Sequence, residues 1–187
     1  MPLFPEEETH VLRAVARRRD EFSTGRWCAR QALTALGAAP TAIPVGPWRN
    51  PIWIDGVTGS ISHSTTTCAA VVVRCTAWNA IGIDVLDRES AATLPAGAER
   101  LVTLDSDGEV LTTIPAWVPP LALLFSAKES AIKAFSPACR RFVDFTEVRL
   151  RFDGSTFTAI LDSADRRVDG WWATAMDALI LTGAVLV

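Results

Sequence analysis

The sequence predicts an α+β fold made of two similar halves, each a long helix packed on a small antiparallel sheet. Three observations carry this expectation. Two segments with helical periodicity, 6 to about 36 and 121–135, open the two halves. Each is followed by three or four short runs rich in Val, Ile, Phe and Trp, with turn residues between them. A polar stretch containing Pro and Gly, 87–120, separates the two patterns and divides the chain into 1–87 and 88–187. At 187 residues the chain is long enough for one ordinary domain or two small, tightly joined halves.

The first helix starts on Glu6, Glu7 and Glu8, which suit the positive end of a helix, and stops at Gly37 with Pro40 soon after. Val11, Ala14, Val15, Arg18 and Phe22 form its apolar stripe, with a possible break at Ser23-Thr24-Gly25. A loop over 40–56 carries Trp48, Arg49 and Trp53. Strands are expected over 59–64, 69–74 and 80–86, the latter two marked by Val71-Val72-Val73 and by Ile81, Ile83 and Val85. The second helix, 121–135, is closed by Ser136-Pro137. The remainder reads as a meander over 145–152, 156–161, 171–176 and 179–187. The halves share no sequence repeat strong enough to prove a duplication.

Nearly half the residues are apolar, enough for a buried core. The longest uncharged apolar stretch, 178–187, is too short to span a bilayer, and no basic-then-apolar leader opens the chain, so a cytoplasmic protein is expected. Cys28, Cys68, Cys75 and Cys139 are scattered, and His10 and His63 have no Cys or second His at ligand spacing. This pattern excludes a zinc site and leaves carboxylates as the ligands for any hard cation. A net charge of −3 argues against a nucleic-acid binder. Arg13, Arg17, Arg18, Arg19, Arg26 and Arg30 nevertheless crowd the first thirty residues. They make either a solvated helix face or a patch for a small polyanion.

Three segments hold residues able to do chemistry. Gly59-Ser60-Ile61-Ser62-His63-Ser64 is no hydrolase motif, because adjacent strand residues point to opposite faces and Ser62 cannot pair with His63. Its hydroxyls and imidazole suit phosphate oxygens, or equally a capped strand end. Asp84 is a carboxylate in an apolar strand, on the face of Gly82 and Leu86, where Gly82 leaves room for something to approach. Such a group is held by a metal or by a salt bridge. On the second helix Ala122, Ser126, Glu129 and Lys133 share one face, which is either an ordinary surface pair or part of a site. Taken together, two carboxylates, a lysine, a phosphate-gripping loop and an arginine cluster point to a metal-assisted reaction at a diphosphate.

These segments also resemble, in order and spacing, the phosphopantetheinyl transferase superfamily of the surfactin- and enterobactin-synthetase type. The matching stretches are residues 18–30 (Arg18-Arg19-Asp20-Glu21-Phe22 through Arg30), 56–64, Gly82-Ile83-Asp84-Val85 and 125–134. The resemblance implies a pseudo-twofold pair of halves with coenzyme A between them. It also implies transfer of the phosphopantetheine arm to a serine of an acyl or peptidyl carrier protein, with release of adenosine 3′,5′-bisphosphate. Asp84 and Glu129 are then Mg²⁺ ligands, Glu129 is also the base for the serine proton, and Lys133 stabilises phosphate charge. Arg26, Ser62 and His63 are expected at the coenzyme A phosphates, with Arg19 and Arg49 as further contacts. Fatty-acid, polyketide and nonribosomal-peptide carriers are all compatible, with no membrane or nucleic acid, and two halves in one chain make a monomer sufficient. One departure stands out: the family's Asp-x-Glu is here Asp84-Val85-Leu86. Losing an acidic ligand implies weaker Mg²⁺ binding, or a paralogue that binds coenzyme A or carrier with weak or no transfer.

Overall fold

A computed structural model of the chain describes residues 2–92, 94, 102, 118–175 and 179–186. The first helical stretch divides into a single turn, α1 (Pro5–Glu8), and a continuous helix, α2 (Ala16–Ala35). The interruption therefore lies over 9–15 and not at Ser23-Thr24-Gly25. Val15 is the N-cap of α2 and 73% exposed, so it leaves the expected stripe, while Val11 and Phe22 stay buried. Gly25 sits inside α2 because a side chain there would meet Ile61 Cγ2 at 3.0 Å. The intrinsic cost of glycine in a helix, about 1 kcal/mol, accompanies this close approach to the strand beneath.

The N-terminal segment is held by Glu7, which is fully buried. One carboxylate oxygen accepts from Arg30 Nη1 at 2.8 Å and from the Ile43 amide at 2.9 Å. The other accepts from the Phe4 amide at 2.9 Å. A buried charge needs such complete pairing, and Arg30 is thereby withdrawn from the arginine patch into a structural role.

β1 (Val57–His63) and β2 (Cys68–Arg74) form a two-stranded antiparallel hairpin against α2. Ala29, Leu33 and Ile43 make the small core between them, flanked by Val57, Ile61, Ala70 and Val72. β3 (Ala80–Leu86) is buried along its whole length. It is hydrogen-bonded into the second sheet, not to the hairpin that precedes it, and a short helix, α3 (Arg88–Ala92), follows it. The rest of the expected 87–120 linker lies largely outside the described residues.

The second long helix, α4 (Pro120–Cys139), is one turn longer than the sequence suggests. Pro137 does not end it, since a proline is tolerated there once the chain turns out at Arg140, whose φ is 52°. A 3₁₀ turn (Phe145–Glu147) then leads into β4 (Val148–Asp153), where an unbroken strand from 145 was expected. β5 (Thr156–Leu161), β6 (Arg166–Ala175) and β7 (Leu179–Leu186) complete a five-stranded sheet in the order β3-β7-β6-β5-β4, all antiparallel. β6 starts five residues earlier than the sequence suggests. Its Arg166-Arg167-Val168-Asp169-Gly170 opening carries three charges, yet Val168 and Gly170 alternate inward between exposed residues. Expected strand ends at Met176 and Val187 lie outside the described residues.

The main core lies between α4 and this sheet, around Leu123, Leu124, Ala127, Ala131, Phe135, Val148, Leu161 and Val168. Helix and sheet approach unusually closely at Gly82, where a Cβ would stand 1.9 Å from the Ser130 carbonyl oxygen. The opening expected over Gly82 is thus filled by the α4 backbone. The mixed helix-and-sheet architecture agrees with the α+β class expected from the sequence. Among the described residues no helix is long and apolar enough to cross a membrane.

Candidate active site

β1 runs beside β3, on the edge opposite β7. Hydroxyls replace a backbone ladder there: Ser60 Oγ accepts from the Ile83 amide at 3.0 Å, and Ser62 Oγ from the Val85 amide at 3.2 Å. Strand alternation leaves Ser62 buried on this seam and turns the His63 side chain, 36% exposed, to the other side.

Asp84 lies at the centre, 6% exposed. Its Oδ1 accepts from Ser62 Oγ and from Lys133 Nζ, both at 2.7 Å, and its Oδ2 accepts from Ser126 Oγ at 2.9 Å. Lys133 Nζ also donates to the Ile83 carbonyl at 3.1 Å and to Ser62 Oγ at 3.2 Å, so all three ammonium protons have acceptors. Glu129, one turn earlier on α4, stands 3.7 Å from Lys133 Nζ. Burial would lower the Lys133 pKa, but Asp84 and Glu129 outweigh it and hold it above the ordinary value. Burial, reinforced by the charge of Asp84, pushes the Glu129 carboxyl up against the pull of Lys133. A carboxylate with raised affinity for a proton, beside a fixed ammonium, is the arrangement a general base requires.

Two cavities open onto this knot and a third adjoins them. One of about 310 Å³ is lined by Ser62, His63, Asp84, Leu86, Glu129 and Lys133. A second, about 340 Å³, shares Glu129 and Lys133 and is walled by Trp48, Trp53, Ile132, Pro137 and Phe142. A third, about 550 Å³, shares Ile61 and His63 and is lined by Arg18, Arg26 and Arg49. Of the expected contacts, Arg26, Arg49 and His63 thus converge on one cavity, and Ser62 joins Asp84. Arg19 is exposed on α2 and is not part of that lining.

Arg26 is buried, donates Nε to the Ile43 carbonyl at 2.6 Å and lies 4.1 Å over the Phe22 ring. Burial pushes its pKa down to about 10, so it stays charged at neutral pH. Arg18 contacts His63 Nε2 at 3.3 Å and Glu21 at 3.6 Å. Sequence reasoning did not single out Arg18, Glu21 or His10 as lining residues. The 18–30 stretch contained two of them, but helical spacing alone does not say which arginine turns inward.

The second acidic position of β3 is absent in space as well as in sequence. Leu86 is 6% exposed and packs into the main core while touching the Asp84 cavity. Asp87 does not replace it. Its oxygens accept from the Thr66 amide and hydroxyl, both at 2.9 Å, and from the Ser90 amide at 2.8 Å. Burial would raise its pKa, but these bonds hold it well below the usual carboxylate range. Among the described residues no group of three Asp, Glu, His or Cys side chains gathers to hold a metal.

Residues 6–73 match the model of the 4′-phosphopantetheinyl transferase N-terminal domain, and residues 80–175 that of the 4′-phosphopantetheinyl transferase superfamily. The chain is 41% identical over 193 residues to 4′-phosphopantetheinyl transferase Svp of Streptomyces mobaraensis, covering 96% of this chain and 77% of that protein. It is 34% identical over 183 residues to 4′-phosphopantetheinyl transferase PptT of Mycobacterium tuberculosis, covering 97% and 74%. Enterobactin synthase component D of Escherichia coli K12 is 37% identical over 119 residues, covering 63% and 55%. With both halves matched and relatives aligned over nearly its full length, the chain belongs to the 4′-phosphopantetheinyl transferase superfamily.

Proposed function

We propose that the chain is an enzyme that transfers the 4′-phosphopantetheine arm of coenzyme A to a serine of an acyl or peptidyl carrier protein. The observation that carries this reading is the Asp84–Ser62–Lys133 knot with Glu129 beside it, opening onto two cavities that an arginine-lined one adjoins. A polyanionic nucleotide end suits the cavity of Arg18, Arg26, Arg49 and His63, and an uncharged arm suits the one walled by Trp48, Trp53 and Phe142. The diphosphate between them then lies over Lys133.

In the reaction the carrier serine oxygen forms a bond to the β-phosphorus of coenzyme A. The bridging P–O bond breaks, and adenosine 3′,5′-bisphosphate leaves. Glu129 takes the serine proton, and the Lys133 ammonium offsets charge on the phosphate oxygens. The donor set fits Mg²⁺: Asp84 and Glu129 offer hard carboxylate oxygens on one cavity beside the Ser62 hydroxyl, with no thiol in its lining. Bound there, the ion would supply Lewis-acid polarisation of the diphosphate. The Lys133 ammonium, 2.7 Å from Asp84 Oδ1, is placed to turn to phosphate oxygens. One chain carries every group named, so a monomer suffices.

Intact-mass spectrometry of an apo carrier protein incubated with the chain, coenzyme A and Mg²⁺ tests this. We expect a gain of one phosphopantetheine, abolished by EDTA and by Asp84→Ala. Glu129→Gln should lower turnover about 10²- to 10⁴-fold and leave carrier binding intact. Coenzyme A binding with no mass gain on any carrier class would instead support the binding-only paralogue, for which buried Leu86 in place of an acid is the favouring observation.

A further inference from the structure

Beneath Asp84, two hydroxyls lie deeper than the reacting groups. Ser126 on α4 and Thr182 on β7 are both completely buried, and neither lines any of the three cavities described above. Thr182 sits directly across from Asp84 in the β3–β7 register, which puts both side chains on the face that α4 covers. Ser126 Oγ lies 2.9 Å from Asp84 Oδ2 and 3.0 Å from Thr182 Oγ1, and Thr182 Oγ1 is also 2.9 Å from the Ser126 carbonyl oxygen.

The protons admit one direction at the carboxylate. An ionised carboxylate only accepts, so the single Ser126 hydroxyl proton points to Asp84, and the Thr182 hydroxyl donates its one proton back to Ser126, where the carbonyl oxygen at 2.9 Å and Oγ at 3.0 Å are the two acceptors. A hydroxyl pair of this kind, buried in an apolar core, stabilises little by itself. What it does is fix a charge. Oδ2 is tied to the core, while Oδ1 is left with Ser62 and Lys133, the two partners that share its cavity.

We propose that Ser126 and Thr182 are positioning residues: a buried hydroxyl relay that sets the orientation of the Asp84 carboxylate, and through it the affinity for the dication. This rests on the reading of Asp84 as a metal-binding carboxylate. Outer partners that orient a ligand typically change metal affinity about 10- to 100-fold when removed. Because Thr182 acts through Ser126, the two effects do not multiply.

The test is Mn²⁺ binding to the full chain with coenzyme A present, read by electron paramagnetic resonance, with a thermal melt of each variant. Ser126→Ala should weaken Mn²⁺ about tenfold or more. Thr182→Val keeps the shape, removes the hydroxyl and should weaken Mn²⁺ less. Thr182→Ser keeps the hydroxyl and should bind like wild type. The double variant Ser126→Ala/Thr182→Val should be no weaker than Ser126→Ala alone. Asp84→Asn separates the two ideas. If it abolishes Mn²⁺ binding and Ser126→Ala does not change it, the metal reading stands and the relay is overturned. If Asp84→Asn binds Mn²⁺ like wild type, the metal reading fails and the relay fails with it. A purely packing role would lower melting temperatures and leave every Mn²⁺ affinity untouched, which also overturns the proposal. Should Ser126→Ala not fold, the Thr182→Val and Thr182→Ser pair still decides it, because equal Mn²⁺ affinity in both overturns the relay.

Discussion

His63 lines the arginine-rich cavity, and its protonation bears on the anion proposed to bind there. Partial burial lowers its pKa from the ordinary 6.5, against the opposing pull of Glu21. At pH 7 the ring is therefore neutral. An anion favours the imidazolium, so ligand binding takes up a proton, and affinity should rise as pH falls from 7.5 towards and below 6.5. Calorimetry with adenosine 3′,5′-bisphosphate across that range should show the rise, and His63→Ala should flatten it. The same depressed pKa means the contribution of His63 to folding is present above 6.5 and declines as pH falls through its folded value. Leu86 gives the second residue-level prediction. Leu86→Glu restores a third carboxylate beside Asp84 and should lower the Mg²⁺ concentration for half-maximal transfer several-fold. It also takes an apolar side chain out of the core, so the melting temperature should fall in the same variant. An unchanged Mg²⁺ titration would show that the leucine does not limit the metal site.

Among the elements, the contact of α4 with β3 decides where the reacting groups stand. Glu129 and Lys133 are useful only because the helix lies almost on the backbone of Gly82. A Cβ at that position would meet the Ser130 carbonyl at 1.9 Å and the Ala134 amide nitrogen at 2.9 Å, both main-chain atoms that cannot rotate aside. Gly82→Ala should therefore cost about 3 kcal/mol. In a melt followed by circular dichroism this corresponds to a fall of roughly 6–12 °C for a chain of this size. Transfer should fall further than stability, because pushing α4 away lengthens the Lys133–Asp84 contact. The helix itself was legible in the sequence, but its final turn was not. Pro137 reads as a stop, and only the left-handed Arg140 beyond it shows where the helix ends.

In the whole molecule, the two halves meet at a seam in which serine side chains stand in for strand pairing. Ser60 accepts the Ile83 amide and Ser62 the Val85 amide, and no backbone ladder joins β1 to β3. Ser60→Ala leaves a buried amide without its acceptor, which costs about 1–3 kcal/mol. Urea unfolding should show that loss as a lower midpoint with little change in slope. The seam also explains why the site is made of parts from both halves. Ser62 comes from the hairpin, Asp84 from the edge strand of the second sheet, and Glu129 and Lys133 from α4. Such long-range convergence joins residues up to 71 positions apart, as in the Lys133–Ser62 contact.

By itself the sequence determined the α+β class, the two long helices and most of the strands, and it marked Asp84, Glu129 and Lys133 as candidates. These are consequences of local periodicity and of residue types too costly to bury without a purpose, such as Asp84 in an apolar strand. Tertiary structure decided the rest. It showed that Arg30 answers Glu7 and that Arg18 turns into the cavity. It also showed that Asp87 caps a helix, and that Thr182 lies across from Asp84. Each of these depends on which surfaces pack together, and pairing between distant segments leaves no periodic trace in the chain for a sequence reading to find.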